Sequence, residues 1–181
     1  MKHLFSCLCI LLIFNSCVTS KTTSEVEVSS KIDQLYKYTS SSNSISSKEL
    51  FSPDLKNILD EAHSISVADA ERIKKSDHPT DKPAMVESFI FTGVPDATKQ
   101  KVTKISITGN TAEAIVELEI GEYKADDKTY PAVIWENTIQ LINDNGWKID
   151  NIIFTERSNL KEQLRAFITE TKKGLQGTAQ K

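Results

Sequence analysis

The 181-residue chain is 39% apolar and 26% charged, which excludes a wholly disordered chain, and its 22 basic against 25 acidic side chains leave a formal charge of −3. A mildly acidic chain without a basic cluster argues against a nucleic-acid binder. Three cysteines, all within the first 17 residues, argue against a disulfide scaffold or a Cys-ligated zinc site in the body of the chain.

The N-terminus has the layout of a targeting segment. Met1, Lys2 and His3 form a short basic region, and Leu4 to Phe14 is an apolar run within secretory-signal length and too short for a bilayer span. Three readings of this segment compete. An ordinary signal peptide prefers an A-x-A-like cleavage site, which is absent; a buried helix has nothing after it to pack against. In the third, "LLIFNSC" resembles a bacterial lipoprotein signal, in which the thiol of Cys17 carries a thioether-linked diacylglycerol and becomes the first mature residue. Of Phe14, Asn15 and Ser16 in the lipobox positions, the small residue next to the cysteine matches the pattern. The resemblance implies a cell-envelope location outside the cytoplasm, periplasmic or on the surface. It also implies removal of Cys7 and Cys9 with residues 1–16, and membrane attachment through acyl chains, each buried CH₂ contributing about 0.8 kcal/mol. Roughly 165 residues then remain, one domain's worth.

Residues 18–31, "VTSKTTSEVEVSSK", have a linker composition and are expected, with Cys17, to form a flexible tether (17–31). Ile32, Leu35 and Tyr36 fall at helical spacing, and 39–47 is a polar loop. Ser52, Pro53 and Asp54 are N-cap, first-turn and dipole-favoured residues of a helix with Leu55, Ile58, Leu59 and Ala62 on one stripe. Ser66 and Asp69 predict a second, shorter helix with Val67, Ala70 and Ile73 inward, ended by the prolines of "KKSDHPTDKP".

From Met85 the period changes to two. "VESFIFT", "KVTKISIT", "AEAIVELEI", "AVIWENTIQLI" and "WKIDNIIF" are five candidate strands. A three-residue turn ending in Gly146 keeps odd positions opposite odd ones, so Val133, Trp135, Ile139 and Leu141 share a face with Trp147, Ile149 and Ile153. Leu160, Leu164, Phe167 and Ile168 mark a C-terminal helix, capped by Asn159 with Glu162 and ended at Gly174. The expected fold class is α+β: N-terminal helices, a curved antiparallel sheet of about five strands, and a C-terminal helix. The expected organisation is a signal peptide (1–16), a lipidated cysteine and tether (17–31), one domain (32–173) and a frayed tail (174–181).

"NTAEAIVELEI", "WENTIQLI" and "NDNGWKIDNIIF" together resemble the closing strands of NTF2-like domains, and "SDHPTDKPAMVESFIFT" is similar to a family of secreted bacterial NTF2-like proteins. The resemblance, over roughly Ile32 to Phe154, implies a sheet wrapped as a cone around helices with a pocket at its mouth. Enzymes of that superfamily place acid–base pairs inside the cone; here the inward rows are apolar apart from Asn137 and Asn151. Trp135, Asn137, Trp147 and Asn151 are the candidate pocket residues, the tryptophans being core or ligand platform. No catalytic residue is assigned: His63 beside Asp60 and Glu61 reads first as a helix-terminal histidine, and no serine has an evident base partner. His78 with Asp77 and Asp81 lacks a second ligand cluster, so neither metal nor cofactor is expected; Glu113, Glu117 and Glu119 read as a solvated strand face. The resulting expectation is a non-enzymatic envelope lipoprotein that binds a small ligand or a protein partner. The alternatives are an enzyme, hydrolase or isomerase, acting on a small molecule in the cone, and an immunity or inhibitor protein against a secreted toxin.

Overall fold

The computed structural model describes residues 22–40, 49–86, 88–93, 97–155 and 158–177. It is α+β: three helices and a C-terminally placed, curved, antiparallel five-stranded sheet. Helix α1 spans Thr23–Ser40 and opens on a reciprocal capping box. The Thr22 backbone N–H donates to Glu25 Oε2 (2.7 Å), and the Glu25 N–H donates to Thr22 Oγ1 (3.2 Å). Val28, Ile32, Leu35 and Tyr36 form its buried stripe. The tether expected over 17–31 is therefore corrected over Thr23–Lys31, which are helical and bury Val28, while residues 17–21 lie outside the described residues.

Helix α2 runs unbroken over Pro53–Lys74, where two helices were expected. Ser52 caps it, accepting from the Leu55 N–H (3.2 Å). Ser66, the expected second cap, donates to the Ala62 carbonyl one turn back (3.0 Å) and leaves the helix intact. The continuous stripe passes through Ile65, Asp69 and Ile73, which turns Val67 outward, and His63 is an exposed mid-helix residue rather than a terminal one.

The first expected strand, "VESFIFT", is instead a 3-10 turn at Ser88–Phe91. Phe91 packs without strand pairing and stacks on Phe51 with ring centroids 5.7 Å apart. Gly93, at φ 78°, lets the chain pass over Phe154; a Cβ there would stand 2.8 Å from that ring.

Strands β1 (Lys99–Thr108), β2 (Thr111–Ile120), β3 (Tyr123–Ala125), β4 (Lys128–Tyr130), β5 (Val133–Asn143), β6 (Trp147–Thr155) and β7 (Ser158–Asn159) complete the sheet elements. The main sheet has the order β1-β2-β5-β6-β7; β3 and β4 pair only with each other. The Asp144–Gly146 turn sets the expected register, with Asn143 opposite Trp147 and Leu141 opposite Ile149. A bulge beside Leu141 then shifts it, so Ile139 faces Ile152, and Ile152 rather than Ile153 enters the core.

Helix α3, Leu160–Gly177, begins at the Asn159 cap, whose Oδ1 accepts from the Glu162 N–H (3.1 Å). It continues through Gly174 to Gly177, so the helix end expected at Gly174 is corrected. Nothing near Gly174 forces a turn, and the helix tolerates the glycine at about 1 kcal/mol relative to Ala. The helices lie on the sheet's inner face, α1 against β1 and β6, with α2 paired to α3 and both against β6.

Candidate functional site

The candidate pocket residues fall on different duties. Asn137, 1% exposed on the inner face, donates from Nδ2 to the Thr92 carbonyl (2.9 Å), and Trp135 Nε1 donates to the same oxygen (3.1 Å). Two strand side chains thus latch the irregular segment that carries the 3-10 turn. Trp147 is buried at the hairpin end of the core. Asn151 stands on the β6 bulge, where its Oδ1 accepts from the Lys161 N–H (3.2 Å) and helps cap α3. Trp135 and Asn137 are brought together; Trp147 and Asn151 are not part of that pair.

Around them the inner face is filled. Val116, Leu118, Ile139, Leu141, Ile149 and Ile152 belong to one buried cluster with side chains from all three helices. Two buried polar atoms, Asn137 Oδ1 and Trp147 Nε1, have no hydrogen-bond partner among the described residues. Burial pushes the Tyr36 phenol far above its ordinary value, and the neighbouring Asn137 amide pulls it back only in part. It is a neutral core group near pH 7.

A polar cluster joins the beginnings of α2 and α3 at the β6 edge. Leu50 and Phe51 run beside Ile149: the Ser52 N–H donates to the Ile149 carbonyl and the Ile149 N–H to the Leu50 carbonyl, each at 2.8 Å. This puts Ser52 Oγ 2.6 Å from Asp150 Oδ1, to which it donates. Lys161 Nζ lies 2.8 Å from both Asp150 Oδ1 and Asp54 Oδ2, and Arg165 stands 3.7 Å from Asp54. The Lys161 hydrogen bond holds the Asp54 carboxyl below its ordinary value. Burial lowers Lys161, but its bonds to Asp150 and Asp54 outweigh that and hold the ammonium above its usual value. Both groups keep their charges near neutrality, so the cluster ties two helix starts to a strand and is poorly suited to exchanging protons. The sequence concealed it because Asp150 reads as an ordinary outward strand residue until the bulge is known.

The remaining candidates lie on the surface. His63 and His78 are exposed, and no group of three or more His, Cys, Asp or Glu side chains is placed to hold a metal among the described residues. The glutamate row meets partners: Lys99 reaches Glu119 (2.7 Å) and Gln140 Nε2 donates to Glu113 (3.0 Å), while Glu117 lies in register with Lys101. A shallow groove of about 360 Å³ crosses this face over Ser106, Thr108, Thr111, Glu113, Gln140 and Asp150. Cys17, with Cys7 and Cys9, lies outside the described residues.

The feature that sequence reasoning missed is the link between β2 and β5. Their ladder ends at Ile120 opposite Val133, and the chain continues beyond it as the two-stranded β3–β4 arm. Every residue from 122 to 134 is exposed. The arm turns on Asp126 and Asp127, both in the left-handed region (φ 49° and 60°), as a two-residue hairpin requires. Tyr123 and Tyr130, directly opposite, stack with centroids 4.9 Å apart and planes 9° from parallel. With Val133 and Ile134 they place four large apolar side chains, 38–58% exposed, in one short stretch. The usable signal was "YKADDKTY", two tyrosines symmetric about an acidic dipeptide; Asp-Asp lacks the glycine that normally marks such turns.

No family model, curated protein or solved structure matches this chain. The site rests on geometry alone.

Proposed function

We propose that this chain is a lipid-anchored protein of the bacterial cell envelope, attached through Cys17, whose NTF2-like domain binds a protein partner through the β3–β4 arm and acts without catalysis. The observation that carries the reading is the exposed Tyr123–Tyr130 stack beside Val133 and Ile134, set against an inner face occupied by the protein's own side chains. Stacked tyrosines combine apolar area with a polar edge at low rotamer entropy, the composition of a protein-binding hot spot. The arm's charge selects protein over lipid. Residues 122–131 carry Glu122, Asp126 and Asp127 against Lys124 and Lys128, with the two carboxylates at the tip, and anionic headgroups repel such a tip. The small-ligand alternative loses ground because Trp135 and Asn137 are engaged by Thr92.

The test is a photo-crosslinking amino acid at Tyr130, against a control at Thr108 in the outer groove, in cells that make the native protein. A discrete protein adduct at Tyr130 that is absent at Thr108 and abolished by Tyr123→Ala supports the reading. Equal adducts at both positions, or none at either, sink it.

A further inference from the structure

We infer that the domain is held close to its own bilayer, with the first turn of α1 nearest the headgroups, and that its partner lies within short reach of that same membrane. This rests on the reading that Cys17 is the lipidated residue. A tether reaching to residue 31 would let the domain roam about 50 Å from its anchor at full extension. The fold removes most of that length. The Thr22–Glu25 capping box fixes where α1 begins, and Val28 and Ile32 are completely buried, so this helix cannot unwind to lengthen the tether without opening the core.

Only five peptide steps separate Cys17 from Thr22. Whatever their conformation, they reach at most about 18 Å. A domain of this size has a radius of gyration near 15 Å and is roughly 40 Å across. The leash is therefore shorter than the body it holds, and only the end of the molecule bearing Thr22 can meet the membrane. Thr22, Thr23 and Val26 are exposed there, Val26 to 54%. Glu25 and Glu27 flank Val26 and outweigh the single charge of Lys21, so electrostatic attraction to an anionic bilayer contributes little at this end. Covalent attachment does the holding, through a high effective concentration at the surface. The partner must then lie within about 60 Å of that bilayer, which excludes targets held across a wider envelope space.

The chain offers a clean probe. After loss of Cys7 and Cys9 and acylation of Cys17, a Val26→Cys variant carries a single reactive thiol. The acylated protein, labelled there with a donor dye, is reconstituted into vesicles of phosphatidylethanolamine and phosphatidylglycerol holding acceptor headgroups. It is compared with a version carrying a twenty-residue Gly/Ser insert between Cys17 and Thr22, which adds about 25 Å of root-mean-square reach. Strong transfer with the native tether, falling by roughly half or more with the insert, is the expected result. Vesicle-bound protein whose transfer ignores the insert overturns the apposition while leaving the anchor intact. Protein that fails to float with vesicles, as Cys17→Ala should, overturns the anchor itself.

Discussion

The β2–β5 ladder has two fates along one path. From Ala112 to Leu118 its inner residues face Leu141 to Trp135 across the strands and disappear beneath the helices. Past Ile120 and Val133 the same hairpin runs on as β3–β4 with both faces bare. Trp135 and Asn137, bound to the Thr92 carbonyl, mark where the cover ends. Burial holds the body; the arm relies on one aromatic stack, three residue pairs and a two-residue turn. A two-stranded ribbon is marginal on its own. The contrast implies that the body sets the stability of the molecule, while the arm is free to vary for recognition.

The greatest loss is expected in the body. Ile139→Ala, at a fully buried position, should destabilise by about 3 kcal/mol in urea unfolding. Val133→Ala, on the same strand but exposed, should stay within about 0.5 kcal/mol. Similar values at the two sites would erase the distinction.

Next is the tie between helix starts. Asp150→Ala removes an acceptor shared by Ser52 and Lys161 and should cost about 2 kcal/mol. The direction of each shift sets the pH dependence. Asp54 is depressed, so its contribution is present above the ordinary carboxylate range and is lost as pH falls through and below about 4. Lys161 is raised, so its contribution is present below about 10.4 and lost as pH climbs past its folded value. Lys161→Met should therefore flatten the loss of stability between neutral and acid pH. An acid limb as steep as the wild type's would show that the Asp54–Lys161 pair contributes nothing.

How much of this was legible in the sequence depended on the kind of signal. Strict alternation at Ala112–Ile120 and the Asn-Gly turn gave β2 and the β5–β6 register near that turn, because period two and turn length leave few alternatives. The Ser52-Pro53 cap gave the start of α2. Composition misled at 18–31, where Ser and Thr hid that the helix read from Ile32, Leu35 and Tyr36 already begins at Thr23 and buries Val28. Local capping logic misled at Ser66, since a serine can equally bond the turn behind it. The bulge beside Leu141 has no local signature, so the Asp150 cluster, built from residues about a hundred positions apart, was invisible. Trp135 and Asn137 do meet in space, but their acceptor, a backbone carbonyl on an irregular segment, carries no sequence mark.

At the border, a double-mutant cycle locates the edge of the cover. Trp135→Phe and Asn137→Ala each remove one hydrogen bond to the Thr92 carbonyl, so each should cost about 1 kcal/mol. Together they remove both of these bonds to the segment, and the double variant should lose more stability than the sum of the singles. Simple additivity would mean that the two bonds act independently and do not jointly hold the segment. The mildest change belongs to the arm tip. Asp127→Gly relieves a positive φ and should stabilise by about 0.5 kcal/mol, seen as slower amide exchange in β3 and β4 with the body unchanged. Slower exchange in β5 as well would show the two regions to be one cooperative unit.

The arm recognises and the body supports. Replacing residues 122–131 by a short Gly-containing turn tests both halves in one variant, read by the urea midpoint and by crosslinking from Ile134. The expected outcome is a midpoint close to wild type together with loss of the partner adduct. A variant that unfolds, or that keeps the adduct undiminished, contradicts this division of labour.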